Sequence, residues 1–543
     1  MMAYFLRTVL MLLWLALPLT LSAQEDLDFI QGILLDANTK EAVVFATIRV
    51  QGLALGVISN NDGSFQLPTE FQQKGDTLII SSMGYETLKI DFASLKKNLV
   101  KELLVKPSVF ELSETIVTAN RKRRPNNKVG KELSALEIID KAIANIPLNY
   151  PQKPFGLIGY YRDYQFKENT YSNLNEALVS VRDRGFAVDD YKSIQFGLFD
   201  YRTNRDFNID SFADKPYDYS KKDKYIPDAT VGEVYAPNEL VLLFIHDAIR
   251  NHNINSYSYV HKFVTDFVKE HTLTRTKNTS YGDKGVYSIA IRKKVAPFQV
   301  MGTIYVDKIT FAIRKLVYSV YKQPLKAGQT LANRKAKKEL IYEILVEYQD
   351  YKDQMYLNYI SFHNNFKLVR PPEFYIKDAE LNRLSKRLLV TLNRPAANWL
   401  TLKPSDFKVF YQNTRLWVTK VERIGTVGDT YALSFIRKER PPRKLLRILE
   451  SEIKDPQKAS FKVSVNKMMD AQGNFLEERK SELLDQFREF FTQKVIPTQP
   501  SGINANLQVN KTISLGSKDQ PKLIMNLEDD FWMNTPLKSL PQE

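Results

Sequence analysis

Between Gly282 and Phe366 the chain runs through five successive segments that alternate apolar and polar residues, most of them separated only by short turns. They are Val286 to Lys293, Phe298 to Asp307, Phe311 to Tyr321, Leu340 to Tyr348 and Met355 to Phe366. Successive strand side chains point to opposite faces, so Phe298, Val300, Gly302, Ile304 and Val306 make one apolar face, with Gln299, Thr303 and Asp307 on the other. The turn from Asp307 to Thr310 is too short for a crossover helix, so these strands must be antiparallel neighbours. Further apolar residues fall on what this alternation gives as the second face: Met301 and Tyr305 in one strand, Leu316, Tyr318 and Val320 in the next. Such a sheet needs a second layer or a cavity on that side. Met301, Tyr305, Leu316 and Tyr318 are therefore the expected wall of a binding site for an apolar ligand.

At 543 residues the chain exceeds one hydrophobic core and is expected to divide into about three domains. Residues 1–23 have the form of a signal peptide: Arg7, an apolar run from Val9 to Leu21, and a small residue, Ala23, before the expected cleavage. The apolar run is short for a retained span. The sequence contains no cysteine, which excludes disulfides, thiolate chemistry and a lipidated N-terminal cysteine. The expected location is the periplasm or the outer membrane, without a transmembrane helix after cleavage. Formal charge is +15, with basic clusters at Arg121 to Arg124, at Lys221, Lys222 and Lys224, at Arg334 to Lys338 and at Arg437 to Lys444. For an exported chain these favour acidic glycans or an anionic membrane surface as partners, and no nucleic acid.

Residues 27–119 read as a small all-β sandwich, complete in itself, with short strands from Ile30 to Thr118. Asn60-Asn61-Asp62-Gly63 is a hairpin turn and Gly84 marks another. The segments Gln31 to Asp36, Ala46 to Val50, Asn61 to Phe65, Gly75 to Leu78 and Ser82 to Glu86 resemble the carboxypeptidase regulatory-like family. That resemblance implies a transthyretin-like sandwich at the head of a Gram-negative envelope protein, and is silent about activity. Leu112 to Ala119 is similar to the strand that precedes the plug of TonB-dependent receptors. No plug or 22-stranded barrel follows, so a transporter is rejected.

Residues 120–131 are a basic linker. Residues 132–393 read as an α+β, half-barrel-like antiparallel curved sheet with helices. Ser134 and Glu137 form a capping box before a helix ending at Pro147, and Glu239 to Ile249 is a second, largely apolar helix. Leu157 to Arg162, Glu176-Ala177, and Gly302 to Asp307 with Phe311 to Ile313 resemble uncharacterised envelope proteins carrying the same sandwich. More loosely they are similar to lipoprotein-carrier proteins, whose half-barrel shelters acyl chains. Residues 394–496 read as a mixed α/β C-terminal domain, with short strands and helices expected at Lys444 to Ile453 and Phe475 to Phe491. Residues 497–543 are a polar tail anchored by Phe531 and Trp532.

Motifs for catalysis are missing: there is no Gly-x-Ser-x-Gly, His-Glu-x-x-His, P-loop or dinucleotide glycine pattern, and none of the five histidines has glutamate three residues on. The spacings of His246, His252, His261 and His271 fit no metal pair, and Asp189-Asp190 and Asp529-Asp530 would diverge in strands. Tyrosines at 160, 161 and 164, and at 217, 219 and 225, could stack on sugars but more often line a sheet. No catalytic residue, metal or cofactor is expected. The expected function is non-enzymatic binding or assembly at the outer membrane, with lipid, glycan or other envelope proteins as partners and an open oligomeric state. The alternatives are a glycan- or peptide-processing enzyme and a structural or adhesive module.

Overall fold

The computed structural model describes residues 29–53, 55–73, 75–96, 99–108, 132–167, 170–188, 193–218, 220, 222–227, 237–250, 265–282, 284–295, 297–322, 339–382, 384–411, 414–425, 427–435, 461–498, 501–524 and 531–537. The expected signal segment, the expected linker, the strand expected at Glu114 to Thr118, the helix expected at Lys444 to Ile453, His252, His261 and both Asp-Asp pairs lie outside the described residues. Two compact units emerge. The first comprises Met1–Asp210, Asp228–Asn365 and Asp485–Glu543, and the second Ser211–Pro227 and Phe366–Leu484.

The N-terminal sandwich holds β1 (Phe29–Asp36), β2 (Thr47–Val50), β3 (Gly56–Ile58), β4 (Ser64–Pro68), β5 (Thr77–Ser81), β6 (Leu88–Asp91) and β7 (Val100–Val105). They form two sheets, β4-β1-β7 and β3-β2-β5-β6. Ile30, Leu34, Ile48, Val57, Phe65, Leu67, Leu78 and Ile80 fill the space between them. The expected turn at residues 60–63 is present. Gly63 has φ +78, and a Cβ there would lie 2.5 Å from the Leu34 carbonyl oxygen, so only glycine fits.

Next come β8 (Phe155–Lys167), β9 (Thr170–Asp183), β10 (Gln195–Thr203), β11 (Lys224–Tyr225), β12 (Thr272–Arg275), β13 (Thr279–Tyr281), β14 (Lys284–Val295), β15 (Phe298–Asp307), β16 (Ile313–Lys322), β17 (Glu339–Tyr351) and β18 (Gln354–Val369). The order β10-β9-β8-β26-β18-β17-β16-β15-β14-β12 is an open antiparallel sheet, in which β26 (Ser481–Ile496) is the central strand returning from far along the chain. The meander is therefore present as expected. Its Asp307 turn is pinned by the Asp307 carboxylate, which accepts from Ile309 N and Thr310 N and takes both Arg314 Nε and Nη2.

Side chains of directly paired residues share a face. Ile304 faces Leu316, which faces Val346, and this side of the sheet is covered by helices. These are α1 (Ala135–Ala144), α2 (Ile146–Asn149), α3 (Glu239–Ile245) and α4 (Thr265–Glu270). The Ser134–Glu137 capping box starts α1, while Pro147 opens the short α2 instead of ending a helix. In α3 every residue from Leu240 to Ile245 is buried, and Phe244 packs edge-on against Phe196 and Phe490. The opposite face receives the sandwich. Phe45 stacks on Tyr359 at 5.0 Å, and Arg49 Nη2 donates to Asn358 Oδ1 at 2.8 Å.

The C-terminal residues are more than a polar tail. Val509 N and Leu523 N donate to the carbonyls of Phe196 and Leu198, covering the β10 edge that would otherwise invite pairing. Phe531 then packs with Ile158, Tyr160 and Leu178, and Trp532 enters the sandwich core, 4.8 Å edge-on from Phe71.

The described residues of the second unit form strands and short turns, and the helix expected at Lys444 to Ile453 lies outside them. The unit contains β11 with β19 (Ile376–Asn382), β20 (Arg387–Leu392), β21 (Phe407–Tyr411), β22 (Thr414–Trp417), β23 (Lys420–Ile424), β24 (Thr430–Ser434) and β25 (Phe461–Val465). Sheets β19-β20-β24-β23 and β22-β21-β25 enclose Phe374, Leu388, Val390, Val409, Tyr431 and Leu433. The helix expected at Phe475 to Phe491 is replaced by β26. Leu483, Leu484, Phe487, Phe490 and Phe491 recur at helical spacing, but the strand is buried on both faces, so its apolar residues do not alternate.

Candidate functional site

The four residues of the expected wall do not share one. Leu316 pairs with Ile304 and Tyr318 with Gly302, which places both on the helix-covered face, fully buried. Met301 pairs with Ser319 and Tyr305 with Lys315, which places both on the opposite face, half-buried. The physical reason is register. Pairing from Ile304 to Leu316 aligns even-numbered residues of both strands, so the apolar residues of β16 complete the first face and do not build a second. At Tyr318 the hydroxyl meets His271 Nε2 at 2.9 Å, and His271 Nδ1 lies 2.9 Å from the Phe267 carbonyl oxygen. His246 stacks on Phe362 with centroids 4.2 Å apart, and its Nδ1 lies 2.5 Å from the Leu242 carbonyl oxygen. Each of the two is held by its own turn. A cavity between this face and α3, lined by Leu157, Val181, Phe186, Phe244, Tyr348 and Leu357 among others, has about 20 Å³, room for one water.

A polar belt crosses the helix-covered face instead. Thr203 Oγ1 donates to Asn175 Oδ1 at 2.8 Å, Asn175 Nδ2 to Asp163 Oδ1 at 3.1 Å, and Tyr161 Oη to Asp163 Oδ2 at 3.0 Å. Asp163 pairs across the sheet with Arg488, which donates through Nη1 to Asn364 Oδ1 at 2.7 Å and through Nε to Glu239 at the start of α3. Burial, then the nearby Glu239 charge, pushes the Asp163 carboxyl up to about 7. Burial also lifts Asp247, which accepts from Tyr348 Oη at 2.5 Å, to about 6, and depresses His246 to about 4.

These shifts fix a pH dependence. With Asp163 raised from an ordinary 3.8 to about 7, the folded chain holds more protons than the unfolded one across that window, so this group's contribution to stability declines as pH rises through it. His246 has the opposite slope between about 6.5 and 4. D163N is therefore expected to gain stability relative to wild type between pH 4 and 8. Urea unfolding of both proteins at pH 4.5 and pH 8 checks this, and an identical difference at the two pH values would contradict it.

The sandwich-bearing face carries a second network. Arg162, 1% exposed, donates through Nε to Glu489 Oε2 at 2.5 Å and through Nη1 to Asn60 Oδ1 at 2.5 Å. Tyr164 Oη donates to Glu489 Oε1 at 3.0 Å and accepts from Asn61 Nδ2 at 2.6 Å. Two strands, β8 and β26, are thus tied to the sandwich hairpin. Beside them Glu176 collects Tyr160, Arg202, Asn204 and Thr535. The aromatic group read from the sequence is structural: Tyr164 stacks on Phe487 at 5.1 Å and tilts against Tyr171 at 4.8 Å. Sequence reasoning missed the roles of Arg162, Asp163, Arg488 and Glu489. The signal available was two adjacent opposite charges within apolar runs, Arg162-Asp163 and Arg488-Glu489.

At the end of β9 the sheet opens into a cleft of about 340 Å³, lined by Pro154, Phe155, Arg182, Asp183, Arg184, Ser193, Gln195, Ser501 and Gly502. Among the described residues no group of three or more histidine, aspartate or glutamate side chains is placed to hold a metal ion, and no helix is long and apolar enough to cross a membrane.

Residues 30–117 match the family described as the CarboxypepD_reg-like domain, so the chain carries that domain at its N-terminus. The match spans the described sandwich from β1 to β7. No curated protein matches the chain. Among solved structures, a LolA superfamily protein from Nitrosomonas europaea is similar over 43% of this chain and 86% of that one, with 12% identity and a TM-score of 0.18.

Proposed function

We propose that this chain is a non-enzymatic, exported envelope protein that acts by binding or assembly at the outer membrane. One observation carries the reading: buried carboxylates of the sheet are engaged by the chain itself. Glu489 is taken by Arg162 and Tyr164, Glu176 by Tyr160, Arg202, Asn204 and Thr535, Asp307 by Arg314, and Asp183 by Arg250. Carboxylates held this way fasten strands to one another and to the sandwich, and are not poised to trade protons with a substrate. An apolar ligand on the helix-covered face would have to lift α3, because side chains occupy that space.

Fractionating cells that express the chain, then presenting the purified protein with peptidoglycan fragments, peptides and a fluorescent fatty acid, tests the proposal. The expected result is recovery in the envelope fraction and binding of at least one class without conversion. Product accumulating in proportion to folded protein would overturn it. Undiminished fatty-acid binding by folded L316R would remove the helix-covered face as the lipid site.

A further inference from the structure

The cleft at the end of β9 is built from a cross-strand row. Gln195 on β10, Arg182 on β9 and Gly156 on β8 are directly paired, so Arg182 and Gln195 project from the same face over a glycine. The absent side chain matters: a Cβ on Gly156 would lie 2.5 Å from Arg182 Nη1, so the guanidinium occupies the place where a side chain would be.

The Arg182 guanidinium has no hydrogen-bond or ion-pair partner among the described residues, and its Nη1 is buried. Burial alone depresses its basicity, with no carboxylate compensating. The adjacent Asp183 cannot help. Neighbouring strand residues point to opposite faces, and the Asp183 carboxylate is taken on the other side by Arg250 Nε at 2.9 Å and Nη2 at 2.7 Å, and by Gly185 N at 2.8 Å. Its charge is neutralised there. Gln195 uses its Oε1 to accept from Ile503 N at 3.0 Å, which leaves the Nε2 amide, a donor, for the cleft. Arg184 adds a second positive charge to the lining. Among the described residues the cleft thus offers cationic and amide donors without an available negative charge, the chemistry that recognises a carboxylate or a phosphate.

We propose that this cleft binds the anionic group of a small organic acid or phosphate ester, with Arg182 as the principal contact, Gln195 as the orienting donor and Arg184 at the rim. A volume of about 340 Å³ suits a ligand of monosaccharide size rather than a polymer. The inference deepens the binding reading, and rests on it only in taking the ligand to leave unchanged.

The test is calorimetric titration of the full mature chain with glucose 6-phosphate, glucuronate, inorganic phosphate and, as neutral control, glucose. Glucose 6-phosphate and glucuronate should bind and glucose should not, with affinity falling as salt rises. R182M keeps the methylenes and removes the charge, and should weaken binding by about tenfold or more. G156A tests the same contact from the other strand. The added methyl must push the guanidinium aside, so it should cause a similar loss with Arg182 intact. Circular dichroism spectra matching wild type establish that both variants are folded. Absence of anion binding up to about 10 mM, the weak end of specific recognition, would overturn the proposal, as would equal affinity for glucose and its phosphate, or unchanged affinity in both variants. Release of inorganic phosphate from bound glucose 6-phosphate would uphold the site and overturn the non-enzymatic reading instead.

Discussion

Replacing Arg162 with alanine is expected to destabilise the first unit by about 3–5 kcal/mol, because a buried ion pair that loses one partner leaves the other charge uncompensated. Arg162 and Glu489 are 1% and 2% exposed, so water cannot take over for the missing guanidinium. Asn60 loses a donor to its Oδ1 in the same step, which loosens the sandwich hairpin from the sheet. The pair itself need not be a large net gain. Desolvating two charges costs nearly what their attraction returns, so R162M/E489L, which fills the volume with apolar atoms, should recover most of the loss. Urea unfolding of wild type, both single variants and the double variant measures the coupling directly. A double variant no more stable than R162A, or a single-variant cost below about 1 kcal/mol, would show that packing rather than charge holds this junction.

The meander was legible because its strands obey period two and three of its four connections are short, and the sandwich because its turn residues stand where hairpins need them. Asn60 to Gly63 and the Ser134–Glu137 box are local signals, and local signals survive into the fold. What failed was information that lives between strands. Leu316 and Tyr318 were given to the wrong face because parity within one strand does not say how it registers with the next, and the pairing of Ile304 with Leu316 decides that. For β26 the local signal was misleading: a strand covered by helices on one side and the sandwich on the other needs apolar residues in both parities, which imitates a helix.

The candidate sites were less legible than the fold for the same reason. Arg182 is one of 77 basic residues in the sequence, and nothing local distinguishes it. Its environment comes from Gly156 and Gln195, 26 positions before and 13 after it (182 − 156 and 195 − 182), brought alongside by pairing. Arg162 and Glu489 lie 327 positions apart, and burial in both is set by a sandwich whose residues precede them all. Charges adjacent in sequence inside apolar strands, as at Arg162-Asp163 and Arg488-Glu489, are a usable sign of such a belt: alternation sends one of each pair to each face, and each must find a partner there.

Truncating Trp532 to alanine should cost about 3–5 kcal/mol, the usual range for removing a large aromatic side chain from a core, and the loss should be concentrated in the sandwich. The indole is 3% exposed among β-sandwich side chains although it lies more than 400 positions from them. Its chain neighbours reinforce the junction, since Asn534 Nδ2 donates to the Ile58 carbonyl oxygen at 3.0 Å and Phe531 packs against Ile158 and Leu178. The segment therefore acts as a strap that completes one core while gripping the next sheet. It follows that residues 27–119 expressed alone lack part of their own core, contrary to what turn chemistry suggests, and should be markedly less stable than the same fragment fused to residues 531–537 through a flexible linker. Hydrogen exchange on the full chain gives the regional readout. In W532A the amides of β1 to β7 should exchange faster while those of β19 to β25 keep wild-type protection. Uniform acceleration in both regions, or none in the sandwich, would mean that Trp532 fills space without fastening the domain.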